Sequence, residues 1–225
     1  MTEPREEAIP LTPDMLVSRP QAGPVDFERG MSHWPPLILL LIGANVAMFA
    51  WELAAGALTD SDSLIAAGAL VRDRVLAGEW WRLVSATFLH ANVNHLLGNC
   101  VVLYIVGMAC EHALGFTQTA IVYFGSAIGG TALSVAARPG PSVGASGAIF
   151  GVLAAVVVVL YRHRHRYHLR DKRIGLVLGA WAAWQVLTGF LNPFVDNFAH
   201  LGGLAAGAAI ALACRPRLLA RSTPR

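Results

Sequence analysis

The chain has 225 residues, with 17 Lys and Arg against 14 Asp and Glu, a net charge of +3 and a sequence pI near 9.0. Only 14% of residues are charged, 55% are hydrophobic and mean hydropathy is +0.53, whereas an average soluble domain is about 25% charged. Too little polar side chain remains to cover a water-facing surface, so a soluble globular enzyme is excluded and a membrane protein is expected.

In chain order, residues 1–34 come first. The first 30 of them hold five prolines and lack the apolar core of a signal peptide, so the segment reads as a disordered cytoplasmic tail. Beyond it the charges leave six stretches free of Asp, Glu, Lys and Arg: 30–51, 83–110, 112–137, 139–161, 174–195 and 197–214, of 22, 28, 26, 23, 22 and 18 residues. A helix needs roughly 17 to 25 apolar residues to cross a hydrocarbon core about 30 Å thick. Backbone groups in lipid must be satisfied within a helix or a closed barrel, and the stretches lack the alternation of barrel strands. The expected fold is an all-α polytopic membrane protein, a six-transmembrane-helix bundle over residues 35–214 with a basic cytoplasmic tail at 215–225.

An even number of spans puts both termini on one side. Thirteen Lys and Arg then share that side, against Arg72, Arg74, Arg82 and Arg138 on the other. Positive residues favour the cytoplasmic face, so both termini are expected to be cytoplasmic. The high pI is accordingly a signal of topology and inner-leaflet attraction; the bilayer is the expected partner, and nucleic acid is not.

The first external loop, about 56–82, is long and mixed and ends in Trp80-Trp81-Arg82, a usual interfacial anchor. Cys100, Cys110 and Cys214 fall in or at the ends of spans and read as small apolar packing residues. The prolines of Arg138-Pro139-Gly140-Pro141-Ser142 forbid a helix there, so span 4 starts near Ser142 to Gly144 and Ser146 lies in its first turn or two. The run from His163 to His168 reads as a cytoplasmic loop that enforces topology.

Polar residues inside spans are functional candidates by default. Ser146 opens span 4, His200 opens span 6, and His90, His95 and Asn99 lie on the outer part of span 2; these spans all run inward, so their outer ends share a depth. Gly147 and Gly151 on span 4, with Gly203 and Gly207 on span 6, form small-xxx-small faces that let helices approach closely. A serine hydroxyl needs a base, and neutral imidazole is the usual one; Ser146 and His200 can fill these roles. Donors for an oxyanion are available from the Ser146 N–H near a helix start and from His95 and Asn99, four apart on one helical face. Each residue alone could be mere packing, but packing does not require imidazoles. His90, off that face, reads as a rim or supporting group.

Gly144-Ala145-Ser146-Gly147, His95-x-x-x-Asn99, Ala199-His200-Leu201-Gly202-Gly203 with Gly207, and Trp81-Arg82 together resemble a rhomboid intramembrane serine protease of the bacterial, six-span type, from about Pro35 to Cys214. The resemblance implies a Ser146–His200 dyad acting through an acyl-enzyme on membrane-protein substrates, and a cavity opening to the extracytoplasmic side of the cell membrane. It implies an oxyanion hole from His95, Asn99 and the Ser146 amide, and neither metal nor organic cofactor. Substrates would carry a small residue at the cleavage site, with helix-weakening residues beyond it. Phe150 matches an aromatic ring set against the catalytic histidine, Gly144, Gly147 and Gly203 match supporting glycines, and Trp81 and Arg82 match a structural first loop. Glu111 matches a buried glutamate tying helices together, with Thr117, Thr119 or Ser126 as possible partners. Asp196 could orient His200 as in a triad, but is more simply a helix N-cap.

Rival functions fit less well. His-Glu-x-x-His, the zinc-protease signature, is absent from the sequence, and no charge-free stretch contains the aspartates of an intramembrane aspartyl protease. A transporter would be expected to carry polar groups near the midplane. A catalytically silent rhomboid-like binder of membrane proteins usually lacks the serine or the histidine, and both are present.

Overall fold

The computed structural model describes residues 23–138, 140–170, 173–192 and 195–221. The expected disorder of residues 1–22, Pro139 of the loop before Ser146, Lys172, and the basic tail from residue 222 onward lie outside the described residues.

A two-residue strand, β1 (Val25–Asp26), precedes the first long helix, α1 (Pro36–Ala54). Pro36 occupies its first position, where the missing N–H costs nothing and φ is preset. The long loop then folds into three short helices, α2 (Ser61–Ala67), α3 (Arg72–Leu76) and α4 (Arg82–Ser85). Next come α5 (Val93–Leu114), α6 (Phe116–Ala137), α7 (Ser146–Arg162), strand β2 (Tyr167–His168), α8 (Arg173–Gly189), α9 (Asn197–Ala213) and α10 (Arg217–Arg221). Each of the six charge-free stretches hosts one of the six longest helices. Pro36–Ala54, Val93–Leu114, Phe116–Ala137 and the segment Asn197–Ala220, which joins α9 to α10, are long and apolar enough to cross a membrane; Ser146–Arg162 and Gly175–Gly189 are apolar but shorter.

The centre of the bundle is α9 against α6 and α7, the two most extensive helix contacts. Glycine makes them possible. A Cβ on Gly203 would run into the Gly147 carbonyl and one on Gly207 into that of Gly151, while one on Gly130 would lie 2.6 Å from the Ala199 carbonyl oxygen. The expected small-xxx-small faces therefore meet each other, backbone to backbone.

Two glutamates sit inside helices where the charge pattern placed span ends. Glu111 accepts from the N–H groups of Leu37 and Ile38 at 3.2 Å. None of the expected partners, Thr117, Thr119 or Ser126, is involved, because the first turn of α1 presents unpaired donors and Pro35 supplies no side-chain cap. Glu52, in the last turn of α1, is 0% exposed.

The tail boundary also needs correction, since packing begins before residue 35. β1 pairs in parallel with β2, Val25 opposite Tyr167. The Val25 N–H donates to the Arg166 carbonyl at 2.8 Å and the Phe27 N–H to that of His168 at 2.9 Å. Phe27 is buried, edge-on to His112 and Tyr167 with centroids 5.5 Å apart. Arg170 closes the contact with a 2.7 Å ion pair to Asp26, which holds that carboxyl below the usual carboxylate range. The basic run after α7 is thus partly a strand that receives the N-terminal segment.

Candidate active site

Ser146 is the first residue of α7, so its N–H has no acceptor one turn earlier in the helix. The helix starts two residues later than the latest expected start, because the preceding segment is held extended. Leu70 and Ser142 exchange backbone hydrogen bonds of 2.9 and 3.0 Å, and the Gly144 N–H donates to the Ala86 carbonyl at 2.8 Å. Gly144 has φ +120°, a conformation that favours glycine. Its α-carbon also faces His95, since a Cβ there would lie 2.5 Å from the imidazole Cε1 and 3.5 Å from Asn99 Nδ2.

His200 enters from the first turn of α9, and its Nε2 lies 2.8 Å from Ser146 Oγ. The imidazole stacks on Phe150, one turn beyond Ser146, with centroids 4.4 Å apart and planes within 11°. Its Nδ1 is buried without a hydrogen-bond partner. Asp196 does not reach that nitrogen. Its Oδ1 accepts from the Ala199 N–H at 3.0 Å as the N-cap of α9, and its Oδ2 accepts a short hydrogen bond from Ser134 on α6. The ring is therefore positioned by stacking rather than by a carboxylate.

His95 and Asn99 come from the N-terminal half of α5, whose first turn is capped by Asn92 accepting from the His95 N–H at 2.9 Å. Asn99 Nδ2 is buried and has no hydrogen-bond partner. Ser146, His200, His95 and Asn99 all line one cavity of about 660 Å³, whose wall includes the small residues Ala148 and Ala199. Gly147 lines it as well and, like Gly203, serves the α7–α9 approach.

Trp81 and Arg82 stand apart from these groups. Arg82 is 4% exposed and donates to the carbonyls of Ile65 and Ala69 at 2.7 Å, neutralising the C-terminal end of α2. It also binds Glu79 at 2.6 Å, whose carboxyl it holds below the usual range. The guanidinium lies 4.6 Å from the Trp81 ring centroid. Both residues shape the loop that carries Leu70, and through Leu70 they support the segment before Ser146.

His90 is not at a rim. It is 0% exposed, its Nδ1–H donates to the Phe88 carbonyl at 3.2 Å, and its ring meets His95 edge-on at 5.2 Å. Both oxygens of Glu52 accept from its backbone N–H, at 3.2 and 3.1 Å. Glu52 was not singled out in the sequence because the charge that marks it also ended the apolar stretch. Its place directly after an otherwise apolar span, followed by Leu53-Ala54-Ala55, was the available signal.

Apolar helices of membrane-crossing length around a cavity lined by buried polar side chains define an integral, multi-pass membrane protein with a serine and a histidine at hydrogen-bonding distance. Comparison with known proteins narrows the class: the Rhomboid domain family matches residues 77–217, and the chain belongs to the rhomboid family. It is similar to the rhomboid protease AarA of Providencia stuartii, 31% identical over 208 residues that cover 79% of this chain and 72% of the relative. Similarity to the rhomboid protease GluP of Bacillus subtilis strain 168 is 34% identity over 181 residues, 80% of this chain but 34% of the relative. RHOMBOID-like protein 1 of Arabidopsis thaliana is 41% identical over 130 residues, 57% of this chain and 33% of the relative. The chain thus spans about a third of the length of two of these relatives.

Proposed function

We propose that this chain is an intramembrane serine endopeptidase with six spans, both termini cytoplasmic, and an active site opening to the extracytoplasmic side of the cell membrane. The observation that carries the reading is the 2.8 Å contact between Ser146 Oγ and His200 Nε2, made by helices whose backbones are in contact.

With the ring proton on Nδ1, Nε2 accepts the Ser146 hydroxyl proton as Oγ attacks the scissile carbonyl carbon. The developing oxyanion accepts hydrogen bonds from the Ser146 N–H, Asn99 Nδ2 and the His95 ring. His200 then passes its proton from Nε2 to the leaving amine, and the C–N bond breaks to leave an acyl-enzyme on Oγ. A water that gives one proton to Nε2 attacks the ester carbon, and Nε2 returns that proton to Oγ as the acyl C–Oγ bond breaks and the second product leaves. Phe150 keeps the imidazole plane fixed through both steps. The small residues Gly147, Ala148 and Ala199 on the cavity wall suit a small side chain at the scissile position of a substrate's transmembrane segment.

Co-expression with several single-span reporters tests the reading. The wild type is expected to cut at least one reporter; Ser146→Ala is expected to cut none, and His200→Ala to cut at a rate about 10²- to 10⁴-fold lower, the usual contribution of a general base. Equal cutting by all three would remove the dyad. A wild type that cuts no reporter and takes up no serine-reactive probe would establish the silent binder instead.

A further inference from the structure

At the end of the bundle opposite Ser146, a second cavity of about 370 Å³ opens between the start of α1, the junction of α5 and α6, and α10. Two arginines line it, Arg29 from the N-terminal segment and Arg217 from α10. Both are exposed, and neither side chain makes a hydrogen bond or ion pair to another described residue. The arginines used by the fold are occupied: Arg82 by Glu79 and two carbonyls, Arg138 by the Val195 carbonyl, and Arg170 by Asp26.

Nearby acids do not cancel this charge. Asp26 and Glu28 both engage Arg170. Glu111, the one acid lining the cavity, has both oxygens on the amides of Leu37 and Ile38. Besides Ser32 and His112, the remaining wall is apolar and includes Pro36, Met108 and the half-exposed Phe116.

The position of Arg217 is built in. Gly115, at φ +80° between α5 and α6, leaves the space in which the arginine stem lies, and a Cβ there would come within 2.9 Å of its Cδ. The position of Arg29 depends on β1 pairing with β2 and on Phe27 between His112 and Tyr167. Two guanidinium groups without a partner among the described residues, over a largely apolar wall at a helix-end level, match a phosphodiester with acyl chains beside it. Guanidinium binds phosphate oxygens through a planar fork, and basic pockets between helix ends take anionic headgroups.

We propose that this cavity binds the phosphate of one anionic phospholipid headgroup, seated between Arg29 and Arg217. Occupancy would link the N-terminal segment to α10 through the lipid. The site is remote from the dyad, and its test needs no turnover.

Native mass spectrometry of the full chain in neutral detergent, titrated with phosphatidylglycerol or phosphatidylcholine, tests the proposal. One phosphatidylglycerol per chain is expected to bind at least tenfold more tightly than phosphatidylcholine. The double variant Arg29→Ala/Arg217→Ala is expected to lose that preference. Arg217→Lys, which keeps charge but not the fork, is expected to fall between, and Arg166→Ala, outside the cavity, to stay within twofold of wild type. Amide exchange at Val25 and Phe27, unchanged in the double variant, would show that the segment remains folded; if it is disturbed, Arg217→Lys alone decides. Equal affinity for the two lipids, full retention of binding by the deciding variant, or displacement of the lipid by equimolar inorganic phosphate would overturn the proposal, the last by assigning the site to a soluble anion.

Discussion

The two helices nearest His200 in sequence are held in opposite ways. α9 lies against α6 and α7 through backbone contacts that no side chain larger than hydrogen permits at Gly203 and Gly207. α8 meets α9 only sparingly, and Leu176, Val177, Trp184 and Leu187 along it are 62 to 74% exposed. Its ties include the Asn197 side-chain amide donating to the Val186 carbonyl at 2.8 Å, Trp181 tilted against Phe150 at 5.8 Å, and the partly buried Leu178 and Ala182 packed against the core. The lesson is a division of labour. The groups proposed for chemistry sit where the backbone itself fixes distance, and the neighbouring helix is left with an exposed apolar surface.

The largest effect is expected where that division is broken directly. Gly203→Val places a branched side chain where the Gly147 carbonyl lies, and overpacking of this kind costs about 1 to 3 kcal/mol or more. Because Gly147 adjoins Ser146 and Gly203 lies near His200, the same displacement separates Oγ from Nε2. The expected result is a lower unfolding temperature in detergent and near-complete loss of reporter cleavage. Leu176→Ala on α8 removes a side chain that is 74% exposed and is expected to leave the unfolding temperature unchanged. Equal destabilisation by both substitutions would remove the contrast between the helices.

A smaller effect is expected behind the oxyanion donors. Glu52 is the only described side chain that accepts from the His90 N–H, and His90 packs on His95. Glu52→Ala leaves that buried donor unpaired, at a cost of about 1 to 3 kcal/mol, and lets the His90 ring shift against His95. Glu52→Gln keeps an acceptor oxygen at the same place. Reporter kinetics are expected to show kcat lowered by Ala with little change in KM, and mostly restored by Gln. If Ala matches the wild type, Glu52 has no part in placing His95.

Asp196→Asn is smaller again. The amide oxygen still caps α9, and no catalytic proton passes through the side chain if the ring is held by Phe150. Turnover is expected to stay within about threefold of wild type. An all-but-complete loss would make Asp196 a third catalytic member and weaken the role given to stacking.

These residues also mark what could be read in advance. The helices, the meeting of Gly147 and Gly151 with Gly203 and Gly207, and the convergence of Ser146, His200, His95 and Asn99 were legible, because in lipid every retained polar or small residue has a cost or a purpose. Glu52 was not, since a charge was treated as the end of a span, whereas a carboxyl that pairs with backbone amides can lie inside one; Glu111 was expected to tie helices together, but its partners, the amides of Leu37 and Ile38, were not foreseen. The pairing of β1 with β2 was hidden because two-residue strands have no periodicity to detect. Arg82 was legible as structural support, but its acceptors, the carbonyls of Ile65 in α2 and Ala69 just beyond it, depend on a loop fold that no pattern announces.

The smallest expected effect concerns the strand pair beside the start of α8. The Asp26 carboxyl is held below its usual range, first by the hydrogen bond from Arg170 and then by that residue's charge. A carboxyl with a depressed folded-state value contributes to docking fully above its unfolded value, about 4, and loses the contribution as pH falls through the lower folded value. Backbone pairing and burial of Phe27 do not titrate in that window, so the segment should loosen rather than dissociate. Amide exchange, corrected for the intrinsic pH dependence of exchange, is expected to show reduced protection of Val25 and Phe27 below about pH 4, with α7 and α9 unaffected. Asp26→Asn should remove the pH dependence. Loss of protection in α9 at the same pH would mean that this peripheral contact supports the glycine-packed centre, and the two regions would no longer be independent.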